Sequence, residues 1–499
     1  MRVVLGTVLL ALLSCGRHGG THGFRNLEDS GQPPLPAVLV APNGELVLPG
    51  TIDELGYVLP LDVLRDKAPK AKRTRPQMAQ HHPRSSGSLN EWRLGLDDGH
   101  TQNETAIDAD GASVIAGWNQ ATATSMVLGV ARSADAGQTW SWQNLAGHAV
   151  MSDPVVATGG GGKWYFAYLG TDLAGSDMEI YVRRSLDDGL SWQAPVAVTQ
   201  NATFDDKPYL AAQGELVLAA WADFSFSPAK IRSAVSLDGG LSFIRHTVLA
   251  NNSTGGNGAS PVIAADGTLY VFWRDSFQQF LWLARSDDDG LTWTPDAQVA
   301  VMHPLPATMP PGYRIVNLPS AGANPHNGDL VVVWNDQAFG DPDILAVRSS
   351  DGGSTWSSPV RVNDDSSGRA QFFPWLDVDS QGGIHVVWYD KRHDGTAIDV
   401  YYAHSSDGGA SFSTNQRITT TPFSPILPWE PSLADFIGDY NGIAVTDQRV
   451  FPCYQDSRRG EQDVYVAVLD RGPVFTYPAI LELWPDPNIL TIIPLLPPP

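Results

Sequence analysis

An all-β chain, folded as a propeller of four-stranded antiparallel blades, is predicted by three features of this sequence. Six copies of Ser-x-Asp-x-Gly-x-(Thr/Ser)-(Trp/Phe) recur along it, pairs of short apolar runs precede the copies, and no long amphipathic helical pattern or heptad repeat is present. The copies are centred on Asp135, Asp187, Asp238, Asp288, Asp351 and Asp407, at spacings of 52, 51, 50, 63 and 56 residues. Periods of this size belong to rings and solenoids built from one recurring supersecondary unit.

Each motif is legible as a hairpin turn. A short Asp side chain accepts hydrogen bonds from backbone N–H groups just ahead of it, Gly supplies a backbone angle that side chains resist, and the hydroxyl holds the same turn. Trp or Phe then plugs the base with a large ring. A calcium loop would need the denser Asp-x-Asp-x-Asp-Gly spacing, which is absent here. No metal or other cofactor is expected.

Upstream of each turn stand two strands, as in Gly267–Asp275 followed by Phe280–Ser286, rich in β-branched and aromatic residues. Ahead of them lies a lead-in segment that often holds a proline: Asp153-Pro154, Lys207-Pro208, Ser260-Pro261 and Phe373-Pro374. Three strands, the Asp turn and a fourth outer strand make one blade. Counting by the second strand, which ends at Trp118, Tyr168, Trp221, Trp273, Trp334, Trp388 and Tyr454, gives seven units. Seven blades are therefore expected, with six plus an irregular closing element as the alternative. A closed ring needs its last blade completed, by a strand near Glu91–Leu96 or by Val474–Tyr477.

The chain divides into a signal peptide (1–14), a linker (15–90), the propeller (91–471) and a Pro-rich tail (472–499). The apolar run Val3–Leu13 is too short to span a bilayer and suits a signal peptide. Its end, Leu12-Leu13-Ser14-Cys15, looks like a bacterial lipobox, which makes Cys15 the lipidation site and the cell envelope the expected address, with the outer membrane or surface first and the periplasm or secretion as alternatives. The membrane is then met through the lipid anchor only. The linker carries a basic cluster from Arg65 to Arg75, and its His81-His82 pair is too small a set to close a metal site. The one other cysteine, Cys453, falls in a strand and reads as a buried apolar residue. A formal charge of −22 argues against nucleic acid as a partner; a monomer that takes a glycan or an envelope protein is expected.

The site is sought on the face opposite the Asp turns, where the loops between second and third strands and the crossings between blades lie. Recurrent residues there, such as Asp223, Asp275, Asp336, Asp390 and Asp456, read as scaffold that caps loop backbone or pairs with Arg392 and Arg458. Residues that occur once are the candidates: Asp205-Asp206-Lys207, Arg314, Arg369 beside Phe372-Phe373, Trp429-Glu430, and the run Asp435 to Tyr440.

The six turns and their blade units resemble the bacterial neuraminidase repeat, or Asp-box, family, over about residues 100–470. That family includes sialidases alongside proteins without that activity. For a sialidase the resemblance implies three arginines on the substrate carboxylate, a Tyr nucleophile activated by Glu, and an Asp acid/base. Arg314, Arg369, Arg392 and Arg458 are the arginine candidates, Tyr440 with Glu430 the nucleophile pair, Asp206 the acid/base, and Asp439 a further binding residue. The family's Phe/Tyr-Arg-Ile-Pro motif has only Tyr313-Arg314-Ile315-Val316 as its counterpart, with Val in place of Pro and in the fifth unit instead of ahead of the first turn. Two functions follow as expectations: a non-catalytic, lipid-anchored glycan or protein binder, and alternatively an exo-sialidase-like glycoside hydrolase acting on acidic sugars.

Overall fold

In a computed structural model of the protein the described residues are 89–95, 100–122, 125–145, 147–171, 178–199, 204–249, 254–306, 308–310, 312–425 and 436–471, with short strands at 39–40, 46–47, 77–78 and 80–83. They form a ring of seven antiparallel sheets, each strand hydrogen-bonded to its successor. Blade 1 runs Gln102–Asp110, Ser113–Ala121, Met126–Ser133 and Ser141–Leu145, with Gln77–Met78 added at its outer edge. The inner strands of blades 2 to 6 are Val150–Gly160, Asp205–Gln213, Asn257–Ile263, Ser320–Ala323 and Gln371–Val378. Blade 7 holds Gly442–Val445, Arg449–Asp456 and Asp463–Asp470 from the end of the ring.

Blade 7 takes its fourth strand, Leu89–Leu94, from the other end of the chain, and Gln80–Pro83 pairs beyond it. Of the two closing segments the sequence offers, the structure uses the first; Val474–Tyr477 lies outside the described residues. Closure removes the exposed edge that an open ring of sheets would present. Arg93 and Asp463 seal the seam at 3.3 Å, both almost fully buried. Glu91 accepts from Arg458 at 2.9 Å and from the Tyr454 hydroxyl.

All six Asp turns close alike. The Ser hydroxyl donates to the Asp carboxylate at 2.7–2.8 Å and accepts the Gly N–H at 2.8–2.9 Å. The Asp also receives the Thr/Ser N–H at 2.8–2.9 Å and that residue's hydroxyl at 2.6 Å. The hydroxyl bond, and after it the N–H bond, holds Asp288 and Asp351 down at about 2. Gly189 shows why the turn needs glycine: its φ is +76°, and a Cβ there would stand 2.2 Å from Ile115 of the preceding blade.

Tryptophans of the second strands, Trp118, Trp221, Trp273, Trp334 and Trp388, are buried between sheets. The recurrent aspartates at those strand ends do cap loop backbone: Asp223, Asp336, Asp390 and Asp456 each accept the N–H two residues on. Cys453 is buried as expected, and burial pushes its thiol up to about 12.

Candidate functional site

The inner strands of five blades slip register near the end remote from the Asp turns, between Asn103/Ala106, Ser152/Val155, Asp206/Tyr209, Asn257/Ser260 and Phe372/Trp375. Each slip holds one residue in the left-handed region: Glu104 (φ 52°), Asp153 (52°), Lys207 (51°), Gly258 (70°) and Phe373 (53°). A side chain other than glycine pays about 1–2 kcal/mol for that conformation. Bulges re-aim side chains, and these send Glu104, Asp153 and Lys207 to one point. Three of the bulged residues precede Pro154, Pro208 and Pro374; proline has no N–H to give a sheet ladder, so a bulge is where a strand accommodates it. Three of the four proline-bearing lead-in segments are thus the bulges themselves, whereas in Ser260-Pro261 the proline lies past the slip, opposite Val271.

Charges from five separate elements meet there. Lys207 lies 3.0 Å from Glu104, 3.4 Å from Asp153 and 2.6 Å from Asp439. Arg314 reaches both Asp439 oxygens at 2.6 Å. It is carried there by a small hairpin, Thr308–Met309 against Tyr313–Arg314, inserted between blades 4 and 5. Asn119 donates to Glu104 at 2.7 Å and accepts the Asp153 N–H at 3.0 Å, fixing both bulges. Asp206 accepts the Lys207 N–H at 2.9 Å. These contacts link blades 1, 2 and 3 with the segments ahead of blades 5 and 7, so the cluster lies on the ring's axis.

An aromatic group stands against it. Trp375 of blade 6 meets Tyr209 of blade 3 at 5.4 Å and Tyr440 at 6.0 Å between ring centroids, a contact across the axis. Lys207 lies 5.0 Å over the Tyr440 ring. The Tyr440 and Tyr209 hydroxyls and the Asn441 carbonyl oxygen are buried with no hydrogen-bond partner among the described residues. Buried polar atoms are ordinarily paired, and each unpaired one costs about 1–3 kcal/mol.

Burial dominates the electrostatics and splits the acids. It raises Glu104 well above the carboxylate range, helped by the charge of Asp153 and opposed by Lys207. Asp153 and Asp206 are raised by burial too. Burial also pushes Asp439 upward, yet Arg314 and Lys207 outweigh it and bring Asp439 to about 2. Two carboxyl groups on one ammonium therefore hold opposite protonation preferences, the pattern that separates an acid from a base. Among the described residues no three His, Cys, Asp or Glu are grouped to hold a metal ion.

Of the residues singled out from sequence, Asp206, Lys207, Arg314, Asp439 and Tyr440 come together at this point. Arg392 does not join them: it is held by Asp390 and Asp364 at 2.8 Å each and stacks 4.0 Å over Tyr401 in blade 6. Arg458 is likewise held by Asp456 and Glu91 and lies 4.6 Å over Tyr465 in blade 7. Arg369 packs against the turn at Gly395 in blade 6, beside Asp394. Glu430, Trp429 and Cys15 lie outside the described residues. Glu104, Asp153, Tyr209 and Trp375 are site residues that sequence reasoning missed; a polar or aromatic residue flanking the lead-in proline was the available signal for all but Glu104.

Residues 148–386 match the family of BNR repeat-like domains. Among solved structures the chain is similar to a protein of unknown function from Dyadobacter fermentans, 14% identical over 77% of this chain and 99% of that one, with a TM-score of 0.44. It is also similar to a Hadza microbial sialidase, 15% identical over 75% and 67% of the two chains with a TM-score of 0.41. A polysaccharide lyase, ulvan lyase, is 13% identical over 59% and 75%, with a TM-score of 0.38. No curated protein matches the chain.

Proposed function

We propose that this seven-bladed ring, of which residues 148–386 match the family of BNR repeat-like domains, binds a neutral glycan on the axial face opposite the Asp turns. One observation carries the reading: of the four candidate arginines, Arg314 is the one ion-paired within the axial cluster, and it donates to both Asp439 oxygens. Carboxylate recognition draws on planar arginine forks with donors to give. Here four carboxyl groups, those of Glu104, Asp153, Asp206 and Asp439, stand against Lys207 and Arg314. Burial holds three of these carboxyl groups toward the protonated form, and Asp439 already pairs with both cations. An acidic sugar must therefore displace Asp439 from them, whereas the hydroxyls of a neutral sugar find the carboxyl groups, the Tyr440 and Tyr209 hydroxyls, and the ring of Trp375.

The opposed shifts of Glu104 and Asp439 favour a second reading, glycoside hydrolysis, with Glu104 as proton donor. The full chain, screened on a glycan array and assayed on a fluorogenic sialoside, is expected to bind neutral glycans saturably and to leave the sialoside intact. Tyr440→Phe, which removes an unpaired hydroxyl, is expected to weaken binding about tenfold while the fold is retained. Sialoside turnover abolished by Tyr440→Phe would instead establish the hydrolase.

Lipid anchoring at Cys15 belongs to the same proposal, with Leu12-Leu13-Ser14 before it as support. Cys15→Ser is expected to move the protein from the membrane to the soluble fraction of a bacterial host; unchanged fractionation removes the anchor.

A further inference from the structure

The axial cluster is one part of its face, and the loops that join second to third strands around it carry a second pattern. In blades 3 and 5 to 7 the residue three places after the strand-end aspartate is planar: Phe226 after Asp223, Phe339 after Asp336, His393 after Asp390, and Arg459 after Asp456. Blade 4 presents Phe277 two places after Asp275. The three phenylalanines are 47%, 61% and 59% exposed for Phe226, Phe339 and Phe277 respectively. Each is a large ring left in water on one of three consecutive blades.

Scattered apolar residues are normal on any surface, but this placement is not scatter. The loops are rigid, because each aspartate caps backbone N–H groups: Ser225 to Asp223 at 2.9 Å, Gln279 to Asp275 at 2.7 Å and Ala338 to Asp336 at 2.8 Å. Phe226 is further backed by the Arg232 guanidinium 5.5 Å from its ring, itself held by Asp223. A ring ordered before binding loses little conformational freedom when something stacks on it.

The rings stand on separate blades among polar residues, Ser225 and Ser227 at Phe226, Ser276 and Gln278 at Phe277, and Gln337 two places before Phe339, which differs from the continuous apolar core that a protein partner buries. Discrete flat platforms set in polar surroundings suit a chain whose own units alternate apolar ring faces with hydroxyls. The arc also shares its face with the axial site.

We propose that Phe226, Phe277 and Phe339 form a stacking track that extends the axial site and takes a linear neutral polysaccharide, one sugar face per ring. The proposal rests on the glycan reading above and adds length: affinity grows with the number of units until the track is filled.

The test titrates the full chain by calorimetry with cellohexaose, xylohexaose and mannohexaose, and with the disaccharide of each. The expected result is a hexasaccharide that binds about tenfold or more tighter than its disaccharide, an advantage abolished in Phe226→Ala/Phe277→Ala/Phe339→Ala with disaccharide binding unchanged. The triple Phe→Tyr variant, which keeps the rings, is expected to retain the advantage and so separates stacking from a damaged fold. Equal affinity for both lengths, or an Ala variant that binds hexasaccharide like the parent, overturns the track and leaves the axial reading standing. Failure of every saccharide to bind overturns both.

Discussion

Lys207→Met is expected to cost about 3–5 kcal/mol of folding stability at pH 8, because it takes a buried ammonium away from the buried carboxyl groups it opposes. Glu104 and Asp153 are each almost fully buried, and Lys207 is the cation that opposes the rise of both. Arg314 pairs with Asp439 at 2.6 Å. Without the ammonium both acids rise further and take up protons. A folded-state acid raised above its unfolded value contributes stability that is complete below the unfolded value and is lost as pH rises through the folded one. The penalty should therefore be small at about pH 4.5 and full at pH 8. Chemical denaturation of the parent and variant at both pH values checks the sign. A penalty that is equal at the two, or larger in acid, contradicts the network's role.

Removing the strand Leu89–Leu94 is expected to abolish cooperative folding, whereas removal of residues 1–76 leaves it intact. The strand pairs residue by residue with Asp463–Asp470, from Leu89 with Leu469 to Leu94 with Val464. Its loss exposes that edge, takes Trp92 from the core shared by blades 1 and 7, and leaves Asp463 without Arg93. A chain beginning at residue 96 therefore faces an unpaired sheet edge and a buried carboxyl group that has lost its closer partner, Arg93, and keeps the longer contact with Arg459 at 3.8 Å. Thermal unfolding followed by near-ultraviolet circular dichroism, which reports the packed tryptophans, distinguishes the two truncations. A chain from residue 96 that melts cooperatively near the parent's temperature would contradict closure through this strand.

The fold was legible because its signals are local. Each Asp turn is completed within nine residues by side chains that the motif names, so six copies predict six identical hydrogen-bond sets, and six are found. The seventh blade has no such turn and shows itself only through its second strand. Its outer strand is harder to read, since an alternating segment does not state which edge it joins; that is why two segments competed for the seam.

The site was legible where subtraction applies. Asp206, Arg314, Asp439 and Tyr440 do not belong to the repeat, and they meet on the axis. Arg392 and Arg458 are as arginine-like in sequence as Arg314, but each stands two residues after an aspartate in a tight turn, and that neighbour claims it. Glu104 and Asp153 depend on bulges, and a bulge is a property of pairing register between strands, which residue order alone does not specify.

The central claim, that the axial face opposite the Asp turns binds the ligand, is tested most directly by a crystal structure of the full chain with its tightest-binding neutral oligosaccharide. The account predicts sugar hydroxyls within hydrogen-bond distance of the Tyr440 hydroxyl and the Glu104 carboxyl, with a sugar ring against Trp375. A saccharide seated on the Asp-turn face, with the Lys207 cluster untouched, would contradict it.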